Sequence, residues 1–596
     1  VTTNKPKQDP VLQAQELIEA SQPEKAVSIL LRFIQREPKN IAALNMLAEA
    51  FVRNDEMAKA LYYRQRASQF APDLPELIVG QVPILLAMGK HAERLELLRT
   101  LYKKFPNYAD GAGDLVASLA DAHHLIEAEE IAKETLERCG PTPHLLATRA
   151  DVAFRMGRVQ QAVPMMREAI AKMDNLQATY ASKLAQMLLY CPGTKPREIT
   201  AAHVVHAKCL ANEIAFAPRA HAKPTDPDKK LHVAFVSPDL YAHSVSYFLE
   251  SVLDHADREQ MTFTLYMTGT ATDATSVRLA EKARFLHTKS ARAEHLAGQV
   301  VAENVDVLFD LAGITKGGNL GTFHLRPAPV QVTYIGYPAT SGVPAMGYRI
   351  VDSLTDPPGS EEHCTEKLVR LDPCFLCYRP NADALKLEPR PSASPSERPF
   401  TFGSFNSPMK LNDELLRVWA RLLHEVPGSK LMLKFGLFRA GDDQKLWDER
   451  FARAGIPLDR LITPDATLGH TDHLMKYHEV DLGLDTFPYH GTTTTCEAML
   501  MGVPVVTRAG DQHVSRVGVS LLTNVGHPEL IARDEDDYVR IAKDLATNPD
   551  KLHAIRGPAL REKFLKGPIC DGPAFGRRFT KAVRTMWREA CGLDKI

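Results

Sequence analysis

The sequence predicts an α-solenoid followed by an α/β unit of two doubly wound parallel sheets. Three observations carry this expectation. A period of 34 residues runs through the first third, strand-like and helix-like stretches alternate through the rest, and polar, proline-rich segments at 218–230 and 381–399 separate the regions. At 596 residues the chain is too long for one core. Lys plus Arg is 72 against 73 Asp plus Glu, so the overall charge points neither to nucleic acid nor to an anionic membrane. Nine scattered cysteines suit a reducing compartment, and no apolar run reaches membrane-spanning length, so a cytoplasmic protein is expected. The polar start, residues 1–9, lacks an apolar signal core and is expected to be disordered.

The repeats come first. Pro38, Pro72 and Pro106 stand 34 residues apart, with Gly140-Pro141 at the next step. Ala26, Ala60, Ala128 and Ala162 keep the same period, and Arg94 is the one departure. Each unit holds two amphipathic segments, for example 41–52 with 56–68 and 77–88 with 91–104. The small residue lets paired helices approach closely, and the proline ends one pair before the next. A helix-turn-helix period of this length is the tetratricopeptide signature, and it predicts a stacked superhelix with a concave face able to hold a polypeptide. About five units fit between Pro10 and Met173. Less regular helices up to 217 close the stack, so 10–217 is read as one region.

After the 218–230 linker the pattern changes to strand and helix in alternation. Residues 231–236, 261–267, 305–311, 330–335 and 348–351 are strand-like in a first half, 231–380. Residues 400–405, 430–435, 460–463, 480–484 and 504–507 are strand-like in a second half, 400–545, and 546–596 reads as C-terminal helices. Two such halves leave a cleft between the C-terminal edges of their strands, the expected ligand site. No GxGxxG follows a first strand, which disfavours nicotinamide chemistry.

The residues of that cleft follow from their positions. The stretch 479–510 reads as strand, loop, helix, strand, with Thr492, Thr493, Thr494 and Thr495 at the helix start. Free N–H groups and the positive end of the helix dipole suit that spot to a diphosphate, although one of the threonines could be a simple cap. Glu497, one turn in, can accept hydrogen bonds from ribose hydroxyls. His243 lies in the loop after the first strand, as a base or hydrogen-bonding group for substrate, or as a helix-entry cap. Lys410 follows the strand at 400–405, where a cation can neutralise a leaving diphosphate; a solvated surface lysine is the alternative. His470, His473, Lys476 and His478 precede the central strand. His473 and Lys476, three apart, share a helix face and either flank a base or are simply solvated. Cys374 and Cys377 form a lone CxxC whose apolar filling suggests a buried strand rather than zinc, so no metal or cofactor is expected. His203 and His206 have no evident metal partner, and His123-His124 reads as a repeat turn.

The span 232–591 resembles the catalytic region of glycosyltransferase family 41, the nucleocytoplasmic protein O-glycosyltransferases, and within it the SPINDLY branch more closely than the animal O-GlcNAc transferases. The segments SPDLYAHSVSYF, RPAPVQVTYIGYPATSG, YRIVDSLTDPP, FTFGSFN, LDTFPYHGTTTTCEAMLMGVPVVT and VGVSLLTNVG carry the resemblance. It implies tetratricopeptide repeats before a catalytic unit of the GT-B fold, and inverting, metal-independent transfer of a sugar from a nucleotide-sugar donor to Ser or Thr hydroxyls of a protein acceptor held by the repeats. Similar bacterial proteins modify flagellin, which makes flagellin a candidate acceptor. The resemblance further implies that Lys410 contacts the donor diphosphate, that His243 matches the histidine proposed as base, and that Thr492, Thr493 and Thr494 hold the phosphates. By the same matching Glu497 lies on the ribose, His473 and Lys476 beside the nucleobase, and Leu468 to His470 in the segment whose backbone reads the base edge. The chain departs from relatives at Ile314, where many carry histidine, at Ser407 in place of glutamine, and at Glu497 in place of aspartate. GDP-fucose, UDP-GlcNAc and a CMP-linked nonulosonic acid all stay open as donors. An inactive repeat scaffold with a degenerate transferase domain is the alternative to an enzyme.

Overall fold

The computed structural model describes residues 9–20, 22–214, 216–288, 292–392, 398–434, 442–464 and 469–593. The expected disorder of 1–9 therefore falls, except for Asp9, outside the described residues. The chain divides into two compact units, Val1–Arg155 with Pro164–Met173, and Met156–Val163 with Asp174–Ile596.

The first unit is built from helix pairs on the expected period: Pro10–Glu19 with Pro23–Arg36, Ile41–Arg53 with Met57–Phe70, and Ala109–Asp121 with Leu125–Cys139. Pro143–Arg155 and Val159–Ala171 continue the series. The third repeat differs from expectation. Residues 77–88 read as one segment, but the chain forms two short helices, Pro75–Val79 and Val82–Ala87, before His91–Lys104. Pro83 has no N–H to donate to the carbonyl of Val79, so the ladder breaks there.

The periodic residues have a common purpose. Ala26, Ala60 and Ala128 are fully buried where helices meet. Arg94, at the equivalent position, is also buried and places Nη2 3.3 Å from Asp121 of the next repeat. The carbonyls of Pro38, Pro72 and Pro106 accept hydrogen bonds from Arg66, Lys104 and Arg138, each near the end of the following pair. One basic side chain per repeat thus staples each proline turn to its neighbour.

In the second unit, helices Ala178–Tyr190 and Pro196–Glu213 precede two parallel sheets. The first sheet comprises β1 (Leu231–Ser237), β2 (Met261–Met267), β3 (Arg284–His287), β4 (Val307–Asp310), β5 (Val330–Thr333), β6 (Tyr348–Val351) and β7 (Lys367–Arg370), in the order 3-2-1-4-5-6-7. The second comprises β8 (Thr401–Ser404), β9 (Lys430–Leu433), β10 (Leu461–Ile462), β11 (Leu482–Leu484), β12 (Val505–Arg508) and β13 (Ile531–Ala532), in the order 10-9-8-11-12-13. Both are doubly wound, with the first two strand orders reversing at β1/β4 and β8/β11, where ligands bind in such sheets. Central strands are buried along their length, as expected for parallel sheets covered on both faces. The edge strands β3, β7 and β13 were not apparent from the sequence. β3 and β7 are only partly buried and end in charged residues, and β13 is two residues long, so none shows a continuous apolar run.

Two connections depart from their reading as free linkers. Within 381–399, Ala382–Lys386 is a helical turn and Arg390 is buried, donating to Asp481 (2.6 Å) and to the Val480 carbonyl (2.5 Å). Arg398 and Arg556 converge on the same Asp481 carboxylate at 2.9 and 3.0 Å. The last helix, Gly572–Ala590, returns to the first half, where Phe579 packs on Phe309 and Trp587 Nε1 donates to the carbonyl of Asp226 in the 218–230 segment. The chain therefore crosses between the halves twice, and the crossings touch: the Tyr378 N–H donates to the Ile569 carbonyl at 2.7 Å.

Candidate active site

Between the C-terminal edges of the two sheets lies a cavity of about 250 Å³. The first half lines it with His243, Tyr337 and Arg349, and the second with Asn406, Ser407, Lys410, Tyr489, Thr492, Thr493 and Thr494. Tyr190, from the helix Ala178–Tyr190, completes one wall. Among the described residues the lining contains one arginine, one lysine and no carboxylate.

Lys410 sits on the short turn Pro408–Lys410 that follows β8. Its ammonium donates to Asn406 Oδ1 (2.9 Å) and to the His490 carbonyl (2.7 Å), and lies 4.6 Å from the centre of the Tyr489 ring. Tyr190 stacks on Tyr489 with ring centres 4.4 Å apart. Burial pulls the Lys410 ammonium down to about 8, opposed by the charge of Asp485. Both its fixed partners are neutral, so an arriving anion meets a cation whose charge no contact cancels.

The threonine loop is held in place from beneath. Asp485, at the end of β11, is fully buried and accepts hydrogen bonds from the Thr486 N–H (2.9 Å), the Gly491 N–H (2.7 Å) and Thr507 Oγ1 (2.8 Å). His490 Nδ1 accepts from the Gly518 N–H (3.0 Å), so Nε2 carries the proton and donates to the Arg508 carbonyl (2.9 Å). Burial lowers the His490 pKa, and this histidine is a neutral strut rather than a base. The helix Thr493–Leu500 then starts with its N-cap residue, Thr492, making no side-chain capping bond. Its first-turn N–H groups and the Thr492 and Thr493 hydroxyls border the cavity. Thr494 Oγ1 donates to Asn406 Oδ1 at 3.3 Å, so Asn406 bridges the helix start and Lys410. A Cβ on Gly491 would stand 2.6 Å from Thr494 Oγ1 and 2.8 Å from Thr495 Oγ1, which explains glycine at the head of the run.

His243 caps the helix Ser244–His255, with Nδ1 accepting from the Val245 N–H (3.4 Å) and lying 3.9 Å from Asp239 Oδ2, and it also lines the cavity. Ile314 instead packs with apolar residues on one face of the first sheet.

Glu497 lies deeper than expected for a group on a ribose. It is buried, and its carboxylate accepts from His473 Nε2 at 3.1 Å. His473 Nδ1 in turn accepts from Lys434 Nζ at 2.8 Å, which fixes the imidazole orientation. His470 lies 6.3 Å from His473 in a stacked arrangement and 6.0 Å from Tyr247 of the first half. Lys476 does not join this group. The helix His470–Met475 tightens into a 3-10 turn at Lys476–Glu479, and Lys476 pairs with Glu479 at 2.7 Å. Leu468 lies outside the described residues. Cys374 and Cys377 are buried thiols that burial raises to about 12 and about 11.

Sequence reading passed over Tyr190, Arg349, Asp485, Tyr489 and His513. Arg349 and His513 both face Asp356, at 3.6 and 2.5 Å, and against the opposing effect of burial they hold its carboxyl well below the usual range. The signal that was present is position: Asp485 and Tyr489 flank the Pro-Gly loop directly after a buried strand.

Residues 157–379 and 385–569, more than half of the chain, match the profile of glycosyl transferase family 41. The chain belongs to this family. The match covers every residue that lines the cavity. It is 40% identical over 371 residues to the Arabidopsis thaliana protein described as a probable UDP-N-acetylglucosamine–peptide N-acetylglucosaminyltransferase SPINDLY, covering 61% of this chain and 40% of that one. It is 28% identical over 410 residues to the corresponding SEC protein of the same plant, covering 66% and 41%. The chain thus spans about two fifths of the length of these curated relatives. A solved structure of a mutant O-GlcNAc transferase from Thermobaculum terrenum aligns with a TM-score of 0.69 at 25% identity, over 98% of this chain and 97% of that one. Repeats followed by a GT-B unit are therefore the architecture of this family 41 chain.

Proposed function

We propose that this family 41 protein transfers a sugar from a nucleotide-sugar donor to Ser or Thr hydroxyls of a protein acceptor. In this reading residues 10–217 hold the acceptor, and the halves 231–380 and 400–545 enclose the donor. The observation that carries it is the shared cavity of Lys410 and the Thr492–Thr494 loop, whose described lining has cations, hydroxyls and N–H donors but no carboxylate. A divalent cation bridging a diphosphate takes carboxylate ligands. This lining is built instead to take the diphosphate directly, on Lys410 and the helix start.

The acceptor oxygen attacks the anomeric carbon as the bond to the β-phosphate oxygen breaks, with inversion, and the hydroxyl proton passes to an oxygen of the departing diphosphate. A serine hydroxyl is a poor nucleophile, so the barrier falls chiefly through stabilisation of the leaving diphosphate, and losing one such preorganised donor costs about a hundredfold or more in rate. His243 orients substrate, and His473 and His470 flank the base. Glu497 holds His473. The nine free thiols, and the fact that no described helix is long and apolar enough to cross a membrane, are consistent with work in the cytoplasm, where flagellin is a candidate acceptor.

Lys410→Ala is expected to abolish transfer while preserving the folded state; transfer at the wild-type rate would refute the assignment. A thermal-shift panel of UDP-, GDP- and CMP-sugars identifies the donor, because a bound ligand raises apparent stability by mass action. An inactive scaffold would show no response to any of the three.

A further inference from the structure

We propose that a second, arginine-lined pocket, separate from the donor cavity, binds a single phosphate-sized oxyanion. The pocket, of about 110 Å³, is lined by Arg158, Gln161, Asp413, Arg417, Arg450 and Arg453, with Ala454 at its edge. It shares no lining residue with the donor cavity.

Its charges do not balance. Four guanidinium groups face one carboxylate, and that carboxylate is already taken. Arg450 is buried and donates to Asp413 from Nε (3.2 Å) and Nη2 (2.9 Å). It also donates to the carbonyls of Met156 (2.7 Å), Gly157 (2.9 Å) and Leu411. Among the described residues no carboxylate stands within ion-pair distance of Arg158, Arg417 or Arg453, and Arg417 has a longer-range attraction to Glu535. Burial lowers the Arg450 pKa, and the positive charges of Arg158 and Arg453 push in the same direction against Asp413. Four like charges gathered around a concavity with a single, already paired counter-charge favour an anion there.

The ligand class follows from shape and size. Guanidinium forks pair bidentately with tetrahedral oxyanions, and several forks around one point suit phosphate better than a monovalent ion. The volume of about 110 Å³ is enough for one phosphate group. Free phosphate and the phosphoryl group of a small monoester share this chemistry.

The site is also coupled to the donor cavity. Leu411 and Asp413, both held by Arg450, directly follow Lys410. A Cβ on Gly157 would come within 2.7 Å of the Pro408 carbonyl and 2.8 Å of the Leu411 carbonyl, and its φ of +72° is strained for other residues. The turn at 156–158 thus lies against the turn that carries Lys410.

The test is titration of the full chain with inorganic phosphate, followed by thermal shift and calorimetry, at constant ionic strength maintained with sodium chloride. Glycerol phosphate in a parallel arm separates a monoester from the free ion. The expected result is a saturable stabilisation that Lys410→Ala retains and Arg417→Ala/Arg453→Ala weakens about tenfold or more. Both substituted arginines are exposed, so the double variant keeps its fold, and Arg417→Lys/Arg453→Lys should fall between it and the wild type. A response no larger than that to chloride, one equal in wild type and double variant, or one lost in Lys410→Ala instead would overturn the proposal.

Discussion

Raising the pH from 7 to 9.5 removes the proton from Lys410 in the free protein, because burial sets its ammonium at about 8 rather than the ordinary 10.5. With that value roughly nine-tenths of the side chains are charged at pH 7 and about one-tenth at pH 9. A diphosphate binds the charged form, so nucleoside diphosphate affinity should fall by up to about tenfold per pH unit above 8. Stability moves the other way. The folded pKa lies below the unfolded one, so burying a charged lysine destabilises the fold at every pH below 8, and the penalty is relieved as the pH rises from 8 to 10.5. The gap is worth about 3 kcal/mol at most. Calorimetric titration with UDP and GDP from pH 7 to 9.5, beside urea unfolding of the free protein up to pH 10, reads both trends. Lys410→Met should remove them together. Affinity that stays flat between pH 7.5 and 9.5, or a methionine variant with the wild-type slope, would refute the reasoning.

Other expectations can be checked with single variants. Asp481→Asn strips the counter-charge from three guanidiniums, two of them fully buried, and should cost about 3–5 kcal/mol in urea unfolding. Gly491→Ala should displace the Thr494 and Thr495 hydroxyls and weaken nucleoside diphosphate binding while the melting temperature changes little; unchanged affinity would detach the loop from the diphosphate. His473→Ala removes a ring from the proposed base site and should weaken nucleotide binding about tenfold, measured by calorimetry. Deleting residues 1–155, the part of the first unit that precedes the turn held by Arg450, should reduce protein modification more than donor hydrolysis; equal losses would argue against the repeats as the acceptor platform.

What was legible in the sequence was local. The threonine run, its glycine and the strand before it lie within about a dozen residues, and a short-range pattern suffices to see a loop entering a helix. The alanine and proline period was equally plain, because each repeat buries the same position. Groups defined by distant partners were not. Tyr190 meets Tyr489 some three hundred positions further on, and Asp481 gathers three arginines from two separate segments. Arg390 sat in a proline-rich stretch whose composition reads as solvent-exposed, although its guanidinium is buried. The ion pair of Lys476 with Glu479, within a 3-10 turn, is likewise a detail that residue spacing alone does not reveal.

The paired crossings at Tyr378 and Ile569 have a mechanical consequence. Two covalent connections lying side by side behave as a single pivot, so the halves can rock about that line while sliding or twisting apart is resisted by both backbones. Small rotations there become larger displacements across the cavity that Lys410 and His243 line from opposite halves. Entry of a sugar nucleotide and exit of the spent diphosphate can then be served by one degree of freedom, with no separate flap required.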